Sequence, residues 1–419
     1  MSTKSKSATY QVLANKNFRN FILSRFFITF AVQMQMTSIG LQVYYEHSKN
    51  ELILGLIGLS EAIPFILTSF LSGYVADRYN RQKIIFFGII GLLVGTILLY
   101  ALCFNIFNLI RSFSYFPLLA VVVFFGIVRS FLASSMPSFM SQLVPRHLYT
   151  VSATWNSSVW HGGAILGPVA GAWLYSIELN AGNSYLINGI CFLIGLLAIS
   201  RIKHSNPIAI EKIKEPLLNS LKVGIQFVVK NKMLLSALSL DLFAVLFGGA
   251  VAILPAFNDK ILHAGPETFG WLRTAPAIGA VLMAFVLAVW PPAKRAGLAL
   301  LVSVIAFGVF TILFAISTTF WIAFIALFFT GAFDNISVVV RHSILQLMTP
   351  DNMRGRVSAV NSIFIGSSNE IGAFESGLAA RIFGLVPSII FGGVMVVIVV
   401  FSINKLNPEL KNLDLRNHE

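Results

Sequence analysis

Five acidic residues lie inside long apolar stretches of the sequence, namely Glu61, Asp241, Asp334, Glu370 and Glu375. Charged groups are costly at the depth of membrane hydrocarbon, and they face a helix-bundle interior or a wet cavity. A carboxyl group removed from water has a raised pKa, which is the property that a proton carrier needs. The sequence therefore nominates four of them for proton coupling, with Asp334 and Glu370 favoured, followed by Glu61 and then Asp241.

Other polar side chains in the same stretches could line the route of a small molecule. Arg129 and Asp334 each stand near the middle of an apolar stretch and could pair across a cavity, either for function or as a structural ion pair. His161 could shuttle a proton, although a single histidine in a helix is more often simply hydrogen-bonded. The other cavity candidates are Gln33, Thr37, Asn156, Trp160 and Asn361.

The composition is that of a polytopic, all-α membrane protein, with 56% apolar and 11% charged residues. A spanning helix takes roughly 20 residues, so 419 residues leave room for about a dozen. We predict twelve transmembrane helices, near 19–44, 52–76, 84–109, 115–143, 149–176, 184–200, 233–257, 267–291, 297–317, 320–348, 356–381 and 385–404.

Enzyme motifs are not found in the sequence, which has no Walker loop, no H-E-x-x-H pair and no nucleophile elbow. The two cysteines, Cys103 and Cys191, fall inside apolar segments and indicate neither a disulfide framework nor a metal site. We therefore expect no enzyme activity and no cofactor. The net charge of +13 is better explained by anchoring to lipid than by nucleic-acid binding.

Basic residues are distributed unevenly between the loops. If the chain starts inside the cell, most of the 30 Lys and Arg residues fall on the inner side. The outer side receives Lys49, Arg111, Lys260 and Arg381. This bias predicts that both termini are cytoplasmic.

The chain divides into two halves around a polar stretch. We expect a six-helix half at 1–200, a cytoplasmic linker at 201–232 and a second six-helix half at 233–419. An offset of 205 residues pairs Gly126 with Gly331 and Gly167 with Gly372. Such a repeat predicts two halves related by a pseudo-twofold axis.

Charge is excluded from every third segment. Segments three, six, nine and twelve have no Asp, Glu, Lys or Arg in their interiors, whereas most of the others do. We expect these four helices to face lipid and the remaining eight to surround a central polar path.

A charged turn between segments two and three contains five residues of a known signature: Gly73, Asp77, Arg78, Arg81 and Lys83. It resembles the major facilitator superfamily motif G-x-x-x-D-R-x-x-R-x-K, whose residues form a clasp at the cytoplasmic gate in that family. A simple topology anchor is the alternative interpretation. Asn80 stands where the family usually has Gly, and asparagine tolerates a left-handed turn nearly as well.

Segment five contains Gly163, Gly167, Pro168 and Gly171. These residues resemble the antiporter motif of exporters in the superfamily. Glycines four apart allow two helix backbones to touch, and proline removes a hydrogen-bond donor. Ordinary packing of small residues is the alternative. The resemblance favours export as the direction of transport.

The run 349–362 resembles a bacterial branch that includes enterobactin exporters and macrolide-efflux proteins. The resemblance implies a proton-coupled exporter of an amphipathic small molecule, siderophore or drug-like, which works by alternating access in the lipid bilayer of the bacterial inner membrane. We expect the protein to act as a monomer. Two alternatives remain open. One is a facilitator or importer of a small metabolite, and the other is a non-transporting membrane sensor on the same fold.

Overall fold

The structure is a computed structural model that describes residues 8–46, 49–104, 115–145, 148–203, 217–290, 292, 294–350 and 353–418. The described residues are mostly helical, with short turns between the helices, and they contain no strand. The helices up to residue 203 are α1 (Ala8–Ala14), α2 (Lys16–Glu46), α3 (Glu51–Arg78), α4 (Arg81–Cys103), α5 (Phe116–Leu143), α6 (Tyr149–Glu178) and α7 (Gly182–Ser200).

The remaining helices follow the polar stretch. They are α8 (Leu217–Lys230), α9 (Lys232–Phe247), α10 (Leu254–Lys260), α11 (Pro266–Val289), α12 (Ala296–Ala315), α13 (Phe320–Met348), α14 (Arg354–Phe383) and α15 (Leu385–Leu406). A helix therefore occupies each of the twelve predicted segments. The end of the third segment, with Arg111, lies outside the described residues.

Ten helical stretches in the described part of the chain are long and apolar enough to cross a membrane. The two predicted segments that are not among them form α6 and α14, each 30 residues long. Both are rich in Ser, Asn and Gly, whose side chains do not contribute the apolar surface of a lipid-facing helix.

The seventh segment is broken, although its sequence predicts one continuous helix. α9 ends at Phe247, and a short 3₁₀ turn at Ala250–Ile253 leads into α10. Gly248 and Gly249 stand at the break. A Cβ at Gly249 would lie 2.8 Å from the backbone oxygen of Gly372, so a larger residue does not fit there.

Contacts divide the chain into two compact units. The first contains residues 1–42 and 63–212, and the second contains 43–62 and 213–419. In the first unit α4 packs against α5 and α7, and in the second unit α12 packs against α13 and α15. The internal repeat pairs α4 with α12, α5 with α13 and α7 with α15. These three helices therefore pack in the same way in both units.

The four helices without internal charge carry rows of exposed apolar side chains. In α7 the row is Leu186, Ile190, Leu193 and Leu197, spaced three or four residues apart. Similar rows run along α4, α12 and α15, where Phe87, Val302 and Phe401 are more than half exposed. A helix with such a row has one face suited to lipid.

The second unit is extended by segments that lie on its helices. α8 packs against α14 and α9. After α15, Leu410, Leu413 and Leu415 are buried in the core of this unit. Arg416 donates hydrogen bonds to Asp414 and so holds the pKa of that carboxyl below its usual value.

Candidate transport site

An ion pair is buried inside the second unit. Asp241 on α9 and Arg341 on α13 contact each other through a carboxylate oxygen and a guanidinium nitrogen. Their exposed fractions are only 5% and 2%. Each charge neutralises the other where water is excluded, which offsets much of the cost of burial.

Asp334 lies on the same side of α13 as Arg341. The two residues are seven positions apart, which is two helical turns or about 10 Å. The Asp334 side chain is partly buried and makes no hydrogen bond or ion pair within the described part of the chain. Asp241, rather than Asp334, therefore balances the arginine of this helix.

A partly buried cation in the first unit, Arg25, has no such balance. Nη1 of Arg25 on α2 contacts the sulfur of Met136 on α5 at 3.5 Å. Its Nε atom is buried and has no hydrogen-bond partner among the described residues. Arg129, the other intramembrane cation of this unit, precedes Met136 by two turns on α5.

The glycines of α6 lie directly against α2. A Cβ at Gly163 would lie 2.8 Å from the backbone nitrogen of Phe30, and one at Gly171 would lie 2.6 Å from the backbone oxygen of Met34. Gly167 lies between them and also faces α2. Pro168 is buried inside the continuous helix. These glycines therefore bring two backbones into contact along three turns.

The second unit repeats this contact at the paired glycine. A Cβ at Gly167 would lie 2.8 Å from the backbone oxygen of Phe30 on α2. A Cβ at Gly372 on α14 would lie 2.8 Å from the backbone oxygen of Leu246 on α9. The repeat seen in the sequence is thus present as a pair of matching helix contacts.

The proposed cavity residues of the first unit fall on two neighbouring helices. On α2, buried Thr37 donates a hydrogen bond to the backbone oxygen of Gln33. On α6, Trp160 is 41% exposed and its ring packs edge-on against His161, with centroids 5.0 Å apart. Nδ1 of His161 lies 3.1 Å from the backbone oxygen of Ser157. Asn156 lies one turn before Trp160 and is partly buried.

The remaining predicted residues are spread over other helices. Glu61 on α3 is 6% exposed, and Asn361 on α14 is 5% exposed. The side-chain oxygen of Asn361 has no hydrogen-bond partner in the described structure. The side chain of Glu370 lies outside the described part of the chain, so its surroundings stay a prediction.

The charged turn between α3 and α4 is held by two arginine side chains. Nε of Arg81 donates to the backbone oxygen of Ala76 at 3.0 Å, and the guanidinium of Arg78 lies over the ring of Tyr74. A Cβ at Gly73 would meet nothing within 4 Å. Lys83 is exposed, and the side chain of Asp77 lies outside the described residues.

Asn80 does not adopt the left-handed turn that its position in the signature predicts. Its φ of −63° and ψ of 112° are extended. Its side chain instead accepts a hydrogen bond from the backbone nitrogen of Lys83 and caps α4. Asparagine is therefore present as a helix N-cap, a role for which it is among the best residues.

The second unit includes the connection between α2 and α3. Lys49 pairs with Asp259 at 2.8 Å, and Lys260 pairs with Glu51. The hydroxyl of buried Tyr44 donates to Asp259 at 3.1 Å. We refer to Tyr44, Lys49, Glu51, Asp259 and Lys260 as the polar clasp.

A close helix contact lies beside the polar clasp. A Cβ at Gly377 on α14 would lie 2.8 Å from Cα of Gly55 on α3. A Cβ at Gly55 would in turn meet the backbone oxygens of Ala373 and Phe374 at 3.2 and 3.1 Å. The two helices therefore touch backbone to backbone in this unit.

Three features of the site are not predicted by the sequence. They are the Asp241–Arg341 pair, the Arg25–Met136 contact and the polar clasp. Arg25 and Arg341 were visible as cations inside apolar segments, but their neighbours depend on how the helices pack. Lys49 and Lys260 were visible as outer-side cations. Glu51, two positions after Lys49, and Asp259, directly before Lys260, were the only sequence signals of their acidic partners.

Two helical units of matching arrangement, with ionisable groups inside apolar helices, define a secondary transporter built from repeats. The sequence profile of the Major Facilitator Superfamily matches residues 21–261 and 242–416. The chain belongs to this family. It is therefore a multi-pass membrane transporter and not an enzyme, and its substrate is a small molecule.

Two curated relatives are similar over nearly the full length. The chain is 22% identical over 379 residues to the staphyloferrin A transporter of Staphylococcus aureus, and the aligned region covers 88% of this chain and 91% of that protein. It is 24% identical over 393 residues to the enterobactin exporter EntS of Salmonella typhimurium, with coverages of 91% and 90%.

Solved structures share the fold at low sequence identity. A peptide transporter POT in complex with sulfate superposes with a TM-score of 0.72 at 12% identity, covering 97% of this chain and 99% of that chain. A bacterial homologue of the human lysosomal transporter Spinster gives a TM-score of 0.67 at 16% identity, with coverages of 99% and 98%. The predicted major facilitator fold is thereby confirmed.

Proposed function

We propose that the chain exports a siderophore or siderophore-like amphipathic molecule across the bacterial inner membrane in exchange for protons. The observation that carries this proposal is the similarity to the staphyloferrin A transporter and the enterobactin exporter, which spans about nine-tenths of this chain and of each relative. The glycines of α6 support export, because they resemble the antiporter motif of exporters. Their close contact with α2 has no bulky side chains between the two backbones, so one helix can tilt against the other.

The energy source in this proposal is the proton gradient. A proton that enters the cell moves with the membrane potential, which is worth about 2.3 kcal/mol per charge per 100 mV. Asp334 is the leading proton carrier, because it lies inside α13 without a partner in the described structure. Glu370, Glu61 and Asp241 follow. Asp241 ranks last because its carboxylate already forms an ion pair with Arg341.

Cargo in this proposal meets the polar residues of α2, α5, α6 and α14. Arg129, Gln33, Thr37, Asn156, Trp160, His161 and Asn361 are the cavity candidates. Trp160 offers an exposed aromatic face beside His161, which suits an aromatic or amphipathic molecule.

Alternating access in this proposal uses a cytoplasmic gate. The charged turn with Gly73, Asp77, Arg78, Arg81 and Lys83 closes that side. The proposed topology has twelve spans and cytoplasmic termini, and the protein acts as a monomer. Positive charge at the inner loops supports this orientation.

Export from cells tests the proposal. The chain is expressed in bacteria that make enterobactin but lack its exporter, and enterobactin is quantified in the medium and in the cells. We expect the chain to restore enterobactin in the medium, and a protonophore to abolish the effect. Retention of enterobactin in the cells, with normal amounts of the protein in the membrane, would contradict export of this cargo class.

A matched measurement with a hydrophobic dye separates siderophore export from drug efflux. Dye extrusion without enterobactin export would favour a drug-like cargo. Dye or enterobactin entry would favour an importer, and binding of cargo without movement would favour a sensor.

A further inference from the structure

We propose that Arg25 binds an anionic group of the cargo, carboxylate or catecholate, at the place where the first unit lacks the acidic partner that the second unit has. This inference rests on the proposed export of a small molecule. It adds a binding residue and assigns the charge of the substrate.

The correspondence between the two units can be read from the glycine contacts. A Cβ at Gly167 would lie 2.8 Å from the backbone oxygen of Phe30, and a Cβ at Gly372 would lie 2.8 Å from those of Leu246 and Val245. Phe30 therefore corresponds to Leu246 to within one residue. Arg25 precedes Phe30 by five residues, and Asp241 precedes Leu246 by the same number.

The neighbours of Arg25 and Asp241 correspond in the same way. Arg25 contacts Met136 on α5, and Asp241 contacts Arg341 on α13. The offset of 205 residues that pairs Gly167 with Gly372 also pairs Met136 with Arg341. In the second unit, α9 and α13 are joined by an ion pair of zero net charge. At the corresponding place in the first unit, where α2 meets α5, a cation lies against a thioether.

The charge of Arg25 is left without an internal counter-ion. Met136 is 2% exposed and supplies only a weak sulfur acceptor. No carboxylate of the described residues pairs with Arg25, and its buried Nε has no partner. A partly buried guanidinium whose Nε atom is shielded from water is costly without an anion. An arriving carboxylate or catecholate would supply both the charge and the bidentate acceptors that Arg prefers.

Arg129 is a second cation on the helix that carries Met136, two turns away or about 10 Å along α5. It already has an interaction partner, so the proposed anion site consists of Arg25 alone. A neutral drug would gain nothing from this cation.

Thermal unfolding of the purified full-length protein in neutral detergent tests the site. The probes are benzoate, 2,3-dihydroxybenzoate and citrate, with benzamide as an uncharged match for benzoate. The variants are Arg25→Gln, Met136→Glu and Met136→Gln. Met136→Glu gives Arg25 an internal counter-ion, and Met136→Gln is the neutral control of the same size.

We expect at least one anion, but not benzamide, to raise the unfolding temperature of the wild type. Arg25→Gln should need at least about tenfold more anion for the same shift. Met136→Glu should unfold at a higher temperature without anion and lose the response to it, whereas Met136→Gln should keep the response. Because Met136→Glu leaves Arg25 in place, it tests the site even if Arg25→Gln folds poorly.

Three results would overturn the assignment. They are no stabilisation of the wild type by any anion of the panel, an equal response in Arg25→Gln, and stabilisation by phosphatidylglycerol alone. The last would place a lipid phosphate at Arg25. The cell assay keeps this test separate from the proposed function. If the wild type and Arg25→Gln export enterobactin equally, the anion site fails while export stands, and if the wild type does not export, the proposed function fails.

Discussion

Asp241 and Arg341 form an ion pair that is almost completely buried between α9 and α13. The pair joins two helices that are a hundred residues apart in the chain. Removing one member of such a pair leaves the other charged and desolvated, whereas removing both leaves only neutral groups. Comparing the single and double variants of Asp241 and Arg341 therefore shows whether the pair mainly stabilises the fold.

Asp241→Asn should destabilise the protein by about 3–5 kcal/mol, because Arg341 loses its counter-ion in a buried site. The double variant Asp241→Asn/Arg341→Gln should recover most of that loss. Thermal unfolding in detergent measures both changes. If the double variant is as unstable as the single one, the pair does not neutralise the site in the way that its geometry indicates.

Gly167→Ala should destabilise the first unit by about 1–3 kcal/mol, since its Cβ would lie 2.7 Å from Cβ of Gln33 and 2.8 Å from the backbone oxygen of Phe30. Gly40→Ala on α2 is the matched control. A Cβ there meets nothing within 4 Å, and replacing a helical glycine adds up to about 1 kcal/mol of stability. Equal unfolding temperatures for the two variants would be inconsistent with the close contact of α6 and α2.

Gly377→Ala should destabilise the second unit by about 1–3 kcal/mol, because the added Cβ would lie 2.8 Å from Cα of Gly55 and from the backbone oxygen of Glu51. Gly40→Ala again serves as the control, since a Cβ there meets nothing within 4 Å. Thermal unfolding in detergent measures both variants. An unchanged unfolding temperature for Gly377→Ala would contradict the backbone contact between α3 and α14.

Asp334→Asn should abolish accumulation driven by a pH gradient but preserve exchange of labelled for unlabelled cargo. The amide keeps the size and polarity of the side chain but cannot carry a proton. Asp414→Asn is the matched control, because Asp414 lies after the last helix and pairs with Arg416. Arg129→Ala is measured alongside. If both variants transport normally and only unfold more easily, Arg129 and Asp334 are structural.

Most of the helices are predictable from the sequence because their apolar segments are long enough to span a membrane. Each of the twelve apolar segments contains a helix, and the ends of α13 at Phe320 and Met348 coincide with the predicted ones. The broken helix is not predictable in this way. Gly248 and Gly249 signal weakness, but the break depends on packing against Phe307 and Gly372.

The candidate site is predictable in its residue types but not in its pairings. Asp241 is recognisable as a carboxyl in an apolar segment, yet its partnership with Arg341 depends on the register of two helices. The same holds for Lys49 and Asp259, which lie 210 positions apart. Asn80 shows the opposite case, in which a motif position predicts a turn and the local backbone uses the side chain as a cap.

Flux into sealed proteoliposomes under an imposed pH gradient tests proton-coupled export most directly. Wild-type protein is reconstituted with its cytoplasmic face outward, the lumen is acidified and enterobactin is added outside. We predict uphill accumulation of enterobactin inside, coupled to alkalinisation of the lumen and lost when the gradient is collapsed. Entry at the same rate with and without the gradient, or binding with no entry, would contradict the proposed exchange of cargo for protons.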